Sequence, residues 1–323
     1  MASKTEVVSE SSTPTVNIVQ KNARKFKFIP PPTFTDKEEE RKYKLGKLAA
    51  AFRIFAQHGF DEGIAGHLTL RDPILKDHFW VNPFGRAFSQ MTVSDLLLIS
   101  PEGEIVMGGK PDRQVYNEVR PTRRLPSLTL HNIHPVNTPA FHSRIHTGGL
   151  CDPVRAIIDA VHHAIHSARP DVEAACHSHS VYGRAFSTLG IDLDITTQDA
   201  CAFYNDLAVY RGFGGTVLAS EEGDNIAKAL GQKKAVILQN HGLLTTSTSI
   251  EGAVWWFISL ESLCRIQLLA DAAAGGRGIK TIKAGEAEAA FTYKATGSHL
   301  AGWAQAQPYF DQIHEKSGGA YLQ

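Results

Sequence analysis

Apolar residues follow two different periods along this chain. From Thr35 to Gly59 they recur at helical spacing, behind a start signal at Asp36 and acidic residues in the first turn. Short apolar runs bounded by turn residues predict strands at 64–71, 79–81, 96–100, 105–107, 172–176 and 235–238. Further helical patterns cover 156–169, 181–189, 221–230 and 250–274. Because helices and strands are interspersed, the pattern predicts an α/β protein.

Segments without a period mark the ends of the predicted domain. Residues 1–34 are first rich in Ser and Thr, then basic, and contain three consecutive prolines. This composition predicts a disordered or extended leader. We therefore expect a single domain over 35–315, followed by a short tail at 316–323.

Composition argues against several classes of partner. Lys+Arg and Asp+Glu balance at 33 each, so no basic surplus indicates a nucleic acid or an anionic membrane. Four cysteines without a C-x-x-C pair are expected to be reduced thiols in a reducing compartment: Cys151, Cys176, Cys201 and Cys264. The chain shows neither an apolar signal-peptide region nor a run of 18 apolar residues. We expect a cytoplasmic protein that binds neither nucleic acid nor membrane.

Two histidines stand two residues apart at the end of a predicted strand. His177 and His179 therefore project from one face, where both imidazoles can reach the same ion. A catalytic Zn²⁺ site takes three protein ligands and leaves one position open. His241 follows another buried strand and precedes a glycine that lets the backbone turn sharply, which makes it the natural third ligand. Taken alone, an H-x-H pair is more often a surface or core feature.

The other histidines are interpreted as turn, surface or satisfied core residues: His58, His78, His131, His134, His142, His146 and His166.

Two segments around the candidate ligands resemble the metal-ligand motifs of the class II aldolase/adducin family: ACHSHS at 175–180 and QNHGLL at 239–244. Their order and separation fit, and further motif matches lie at 61–73, 79–85, 94–97 and 169–172. The resemblance implies a single three-layer α/β/α domain with a largely antiparallel central sheet flanked by helices. It also implies a divalent metal, which we expect to be Zn²⁺, on His177, His179 and His241. A homotetramer with active sites between neighbouring subunits is implied as well.

The chain departs from the sugar-phosphate aldolases of this family at their acid/base residue. Those enzymes carry a Glu four residues before the His that matches His162, and this chain has Ile158 there. Asp159 is one position along, about 100° around the helix, and is a candidate substitute. The family's phosphate-binding Ser pair is absent, and His67 replaces the Asn of the early glycine-rich motif. An unphosphorylated substrate is therefore expected.

Two further residues are candidate proton donors. Asp199 lies in the segment that the family places near the next subunit's site, and Tyr204 follows it. The structural alternatives are a helix cap for Asp199 and a core or interface aromatic for Tyr204. The predicted catalytic residues are therefore Asp159, Asp199 and Tyr204.

These features predict a metal-dependent lyase that acts on a small molecule. Three imidazoles can hold a metal that serves as a Lewis acid for a carbonyl next to a breaking carbon–carbon bond. Retro-aldol cleavage, decarboxylation of a keto acid and epimerisation all use that chemistry, and the ligands alone do not choose among them. The alternative is a catalytically silent, adducin-like binding or scaffold protein. We favour an enzyme because all three imidazoles are retained.

The stretch at 119–155 interrupts the family pattern. It holds five prolines and no sustained period, and joining Glu118 directly to Ala156 restores the family's usual passage into the helix. Val119–Arg120 and Val154–Arg155 can be encoded by splice-site sequences. Two hypotheses stand equally, a genuine surface insertion and a translated intron, and we expect disorder in either case. A cDNA that runs uninterrupted through the segment would exclude the intron.

Overall fold

One mixed β-sheet organises the chain. The computed structural model describes residues 30–110, 161–214 and 220–323. Its strands are β1 (His67–Arg71), β2 (Phe79–Val81), β3 (Leu97–Ile99), β4 (Ile105–Gly108), β5 (Ala174–Ser178), β6 (Leu207–Tyr210), β7 (Ala235–Leu238) and β8 (Gly242–Ser247). They form an eight-stranded sheet in the order β4-β3-β2-β1-β5-β8-β7-β6. Neighbouring strands are antiparallel except for β6 and β7, which are parallel.

The helices of the described ranges pack on both sides of this sheet. They are α1 (Lys37–Gln57), α2 (helical at 161–168), α3 (Val181–Ser187), α4 (Ser220–Leu230), α5 (Ile250–Gly275), α6 (Glu286–Thr296) and α7 (His299–Ser317). The Asp36 side chain accepts a hydrogen bond from the Glu38 amide and so caps α1, as the sequence predicts. Ser249 caps α5 in the same way through the Gly252 amide.

The two faces of the sheet cover different cores. On one face, Leu68 and Cys176 join the large core beneath α1, α3, α5 and α7. On the other face, Val236 and Leu244 pack with Ile165 in a second core beneath α2 and α4. Side chains alternate between faces along each strand, so β6, β7 and β8 each contribute to both cores. This arrangement confirms the predicted three-layer α/β/α domain with a largely antiparallel central sheet.

The sequence pattern locates some strands better than others. Strands 79–81 and 235–238 match β2 and β7 residue for residue. The strand predicted at 64–71 is wrong at its start, since β1 begins only at His67, after Gly63 and Gly66 adopt positive φ. The pattern missed β6 and β8, and also α6 and α7, of which the second contains Pro308.

Helix α5 is long and apolar enough to cross a membrane by length and composition alone. In the fold it packs against α7, β8 and β5, and 61% of its most apolar window is buried. Core helices pass the same test, so this helix is weak evidence for a membrane span. The proposed insertion at 119–155, Asp159 and most of the leader lie outside the described residues.

Candidate metal centre

Three histidines lie close together where β5 ends and β8 begins. His177 lies in β5, and His179 follows that strand by one residue. His241 lies in the short loop between β7 and β8. Strand β8 pairs antiparallel with β5, so the loop that precedes β8 arrives at the end of β5. Sheet pairing therefore brings together residues that are 62 or more positions apart in the sequence.

The loop that carries His241 depends on two special backbone positions. Asn240 has φ of 57°, a left-handed conformation that Asn tolerates better than most residues. A Cβ on Gly242 would lie 2.8 Å from the carbonyl oxygen of Ser178, so only glycine fits where β8 begins beside the end of β5. The expectation that Gly242 makes the sharp turn is therefore wrong. Asn240 makes the turn, and Gly242 permits the close approach of the two strands.

The geometry of His177, His179 and His241, called here the histidine triad, fits a single metal ion. Their ligand nitrogens lie within 4.8 Å of one another, and the ring centroids are 4.8–5.2 Å apart. The Nδ1 of His177 lies 2.8 Å from the carbonyl oxygen of Leu243. That carbonyl can only accept, so Nδ1 carries the proton and Nε2 keeps its lone pair for a metal.

Burial keeps the triad uncharged. It lowers the pKa of His177 well below the usual range, with His241 and His179 adding to the effect. It lowers the pKa of His241 to about 4, and it also lowers that of the half-buried His179. Metal binding requires neutral imidazoles. At neutral pH, the three imidazoles are therefore already in the neutral form that binds a metal ion.

An ion pair lines the exposed side of the triad. Arg184 of α3 contacts the carboxylate of Glu62, which belongs to the loop before β1. Burial is the main cause of the lowered pKa of His179, while Arg184 lowers this pKa further and Glu62 raises it. Both charges therefore lie close enough to His179 to change its pKa. Glu62 lies within the motif match at 61–73, but no pattern in the sequence indicates its role.

Two more buried histidines adjoin the triad. His67 of β1 stands opposite His177 in the antiparallel ladder, so both side chains share one sheet face. His162 of α2 packs against His67 with ring centroids 6.4 Å apart. Burial lowers the pKa of His162 to about 3 and that of His67 well below its usual range, the latter with help from His162 and His179. The only sequence signal for these residues is their position in the family motifs.

The three predicted catalytic residues do not meet at the triad in the described part of the chain. Asp159 lies outside it. Asp199 is exposed and opens the 3-10 helix Asp199–Phe203, just before Tyr204 and the start of β6. Since β6 runs parallel to β7 and His241 follows the end of β7, Asp199 and Tyr204 lie at the other end of this strand pair. Their approach to a neighbouring subunit's site stays a prediction.

The structure also bears on the alternatives for these residues. Asp199 is not the cap of its helix, because Gln198 holds that position. Tyr204 is half-buried at the end of the helix, next to the fully packed Phe203.

Comparison with known proteins decides the family. The class II aldolase and adducin N-terminal domain matches residues 46–150 and 151–268. The chain belongs to the class II aldolase and adducin family. Its motif resemblance is thereby confirmed, including the two segments that carry the triad.

Three members of this family are especially similar to the chain. A solved structure named L-fuculose 1-phosphate aldolase, from Glaciozyma antarctica PI12, is 47% identical and superposes with a TM-score of 0.72, covering 91% of this chain and 97% of that one. A 4-hydroxy-3-prenylphenylpyruvate oxygenase/4-hydroxy-3-prenylbenzoate synthase from Streptomyces roseochromogenus subsp. oscitans is 38% identical over 89% of this chain and 86% of its own. Decarboxylase NovR from Streptomyces niveus is 38% identical over 89% and 88%.

Proposed function

We propose that this protein is a Zn²⁺-dependent lyase of the class II aldolase type. It cleaves or forms a carbon–carbon bond, by retro-aldol or decarboxylation chemistry, in an unphosphorylated hydroxy-carbonyl or keto-acid substrate. The observation that carries the proposal is the convergence of three uncharged imidazoles, with no carboxylate among them and with His177 oriented by the Leu243 carbonyl. Three neutral ligands leave the full charge of a bound divalent ion available to a substrate oxygen.

The residues of the triad have the donor set that such a metal needs. A divalent ion held there supplies Lewis-acid chemistry to a carbonyl oxygen. The chain itself supplies rigidity, since His177 projects from a central strand and His241 from a hairpin paired with that strand. It also restricts water on one side, where His177 is buried.

The names of the similar proteins suggest two different substrate classes, and residues of this chain favour one of them. One similar protein is named for a prenylated phenylpyruvate and another as a decarboxylase, which supports an unphosphorylated keto acid. The similar structure from Glaciozyma is named for a sugar phosphate. The chain lacks the family's Ser pair and carries His67 in place of the Asn, and these departures favour the unphosphorylated class.

The acid/base group is also a proposal. Asp159 replaces the missing Glu from the same chain, or Asp199 and Tyr204 of a neighbouring subunit in a homotetramer complete the site. We further propose that the protein works in the cytoplasm.

The absence of the family's Glu, with Ile158 in its place, is the observation that favours the second candidate function, an adducin-like binding protein without chemistry. Epimerisation at the same metal remains a variant of the enzyme proposal.

Metal content tests the first half of the proposal. We expect about one equivalent of Zn²⁺ per subunit in the purified wild type, and close to none in His177→Ala/His179→Ala. His78→Ala is the matched control, because His78 pairs with the exposed Asp77 outside the triad and should leave the metal content unchanged. A wild-type protein that takes up neither Zn²⁺, Mn²⁺ nor Co²⁺ would overturn the lyase mechanism.

Paired substrates test the second half. Zinc-loaded protein is assayed with L-fuculose and L-fuculose 1-phosphate, and with a panel of keto acids that includes 4-hydroxyphenylpyruvate. We expect bond cleavage only in the unphosphorylated class. Preferred cleavage of the phosphate ester would overturn the substrate assignment and leave the lyase intact. A metal-loaded protein that turns over neither class would favour the adducin-like alternative.

A further inference from the structure

A row of buried polar residues extends from the triad along β1. His67, Thr69 and Arg71 alternate with apolar residues and therefore share the sheet face that His177 occupies. Helix α2 covers this row with His162 and His166, and all five residues are buried. Buried polar groups nearly always have hydrogen-bond partners. A buried polar atom of this row that lacks a partner therefore indicates a position where a ligand binds.

The hydrogen bonds of the row run in one direction. Arg71 can only donate, and its guanidinium lies against Nδ1 of His166 at 3.4 Å, so this nitrogen carries a lone pair. A neutral His166 then has its proton on Nε2 and donates it to the Thr69 hydroxyl at 2.8 Å. The single hydroxyl proton of Thr69 is left to donate to Nδ1 of His162, also at 2.8 Å. Both rings are buried, and Arg71 lies beside that of His166, which disfavours a second proton on either ring.

This chain of hydrogen bonds determines the tautomer of His162. Because its Nδ1 accepts from Thr69, the ring proton lies on Nε2. Among the residues that the structure describes, Nε2 of His162 has no partner to receive that proton. The row therefore ends on an unpaired N–H donor of His162. Its ring packs against His67, which in turn lies opposite His177 of the triad.

Two further unpaired atoms adjoin this donor. Nδ1 of His67 and Oδ1 of Asn82 are buried and have no hydrogen-bond partner within the described ranges. The Asn82 amide lies beside His67 but makes no well-formed hydrogen bond to it, and its nitrogen faces the Pro83 carbonyl at 3.5 Å. His67, Asn82 and His162, called here the His67 cluster, thus present three unpaired polar atoms beside the metal ligands, namely the N–H of His162, a ring nitrogen of His67 and the amide oxygen of Asn82.

The cluster suits an uncharged group that both donates and accepts. A hydroxyl can accept from His162 and donate to His67 or Asn82. A phosphate or carboxylate would bring negative charge next to the lone pairs of the Asn82 oxygen, and the cluster itself holds no cation to neutralise that charge. The nearby Arg71 offers no compensation, since its guanidinium donates to the carbonyls of Val172, Lys76, His166 and Arg169.

We infer that His67, Asn82 and His162 bind a hydroxyl group of the substrate beside the metal held by the triad. This inference rests on the proposed function, because it takes the triad as the reacting centre. It names His67 and His162 as residues that select a hydroxyl over a phosphate or carboxylate. Thr69 acts through His162 as a positioning residue.

Three hydroxamates test the assignment on zinc-loaded, full-length protein. Acetohydroxamate and glycolohydroxamate chelate a metal alike and differ by one hydroxyl, while phosphoglycolohydroxamate carries a phosphate on that hydroxyl. Calorimetry should show glycolohydroxamate binding about tenfold more tightly than acetohydroxamate, the effect of one added neutral hydrogen bond. The phosphate ester should bind more weakly than glycolohydroxamate. Equal binding of the first two probes, or tightest binding of the phosphate ester, overturns the inference without any variant.

Variants then identify the donor. His162→Leu should abolish the tenfold preference, whereas acetohydroxamate affinity and zinc content stay unchanged. His162→Gln should restore part of the preference, because the glutamine amide can place an N–H where Nε2–H lies. Asn82→Ala is a second variant, in case His162→Leu does not fold. An undiminished preference in the Leu and Ala variants overturns the assignment of these residues.

Failure of this inference is separable from failure of the proposed function. Protein that binds zinc and acetohydroxamate but shows no hydroxyl preference leaves the lyase proposal intact and overturns only the His67 cluster. Protein that binds no zinc overturns both.

Discussion

The two faces of strands β1 and β5 have the same neighbours in the sheet but opposite chemistry. Leu68, Leu70 and Cys176 point into the core beneath α1 and α5, where each is almost fully buried among apolar side chains. The residues between them, such as Thr69 and His177, point the other way into hydrogen bonds with imidazoles and a backbone carbonyl.

Burial is similar on the two faces, so burial alone does not distinguish core from site. What differs is whether each buried polar atom is satisfied. The apolar face needs only complementary volume, whereas the polar face stays stable only if its hydrogen bonds are made. The few polar atoms that remain unpaired there mark the place where a ligand is expected.

Substitutions at adjacent positions on the two faces should separate effects on the free energy of unfolding from effects on ligand binding at the site. Leu68→Ala should lower the free energy of unfolding by about 2–5 kcal/mol through a cavity in the main core. Its zinc content and hydroxamate preference should match the wild type. Thr69→Val keeps the volume but leaves His162 and His166 without their shared hydroxyl, at a cost of about 1–3 kcal/mol for each unpaired nitrogen.

Denaturant unfolding and calorimetry on the two variants check this prediction. The Val variant should lose the hydroxyl preference and keep its zinc. Loss of the preference in Leu68→Ala as well would show that the two faces are not independent.

The first position of β8, which lies beside the end of β5, should tolerate no side chain. Gly242→Ala places a Cβ 2.8 Å from the Ser178 carbonyl oxygen, so the strands must separate beside His177 and His241. We expect a loss of about 1–3 kcal/mol in unfolding free energy, together with weaker zinc binding. Gly275→Ala is the matched control, because a Cβ added at this last residue of α5 would meet nothing within 4 Å. Equal zinc affinity in both variants would contradict this account.

Acid should destabilise the polar face selectively. The pKa of His162 is about 3 in the folded protein against 6.5 for an ordinary histidine, so the unfolded chain takes up the proton first. Its contribution to stability is therefore complete above pH 6.5 and is lost as the pH falls towards 3. Between pH 6.5 and pH 5, one such histidine removes about 1.5 kcal/mol of unfolding free energy.

Unfolding at these two pH values checks the sign. His162→Gln should lose about 1.5 kcal/mol less than the wild type over this range. Leu68→Ala should follow the wild-type pH dependence, because leucine does not titrate. A Gln variant as acid-sensitive as the wild type would mean that His162 titrates normally in the folded state.

The ion pair at the exposed side of the triad should have the smallest effect. Arg184 opposes positive charge near His179 and Glu62 favours it, so Arg184→Gln should tighten zinc binding and Glu62→Gln should weaken it. Both residues are substantially exposed, which limits each change to about two- to fivefold. Competition with a chelator measures the shifts, which should shrink at higher salt. Changes in the same direction for both variants would exclude an electrostatic cause.

Local sequence accounts for much of the architecture. The apolar period locates α1, α5, β2 and β7, since each buries a continuous stripe or run that only one type of element can present. It fails for β8, whose threonines and leucines face two different cores. It fails for α7 because Pro308 ordinarily ends a helix, and here the packing against α5 and α1 retains it.

The candidate ligands were predictable, but their surroundings were not. Strand geometry places His177 and His179 on one side, and the family motif adds His241. The sequence carries no signal that Leu243 orients His177, or that Thr69 links two imidazoles of α2. These contacts join residues 66 to 97 positions apart.

By itself, the sequence determined the α/β class, the family and the three histidines, because these depend on local periods and short motifs. Only the tertiary structure decided that β8 delivers His241 to the end of β5, that Asp199 and Tyr204 lie at the other end of the β6–β7 pair, and that His162 ends a directed row of hydrogen bonds. The physical reason is that strand pairing and polar satisfaction are non-local. Each partner is chosen by the folded neighbourhood rather than by the residues adjacent in the chain.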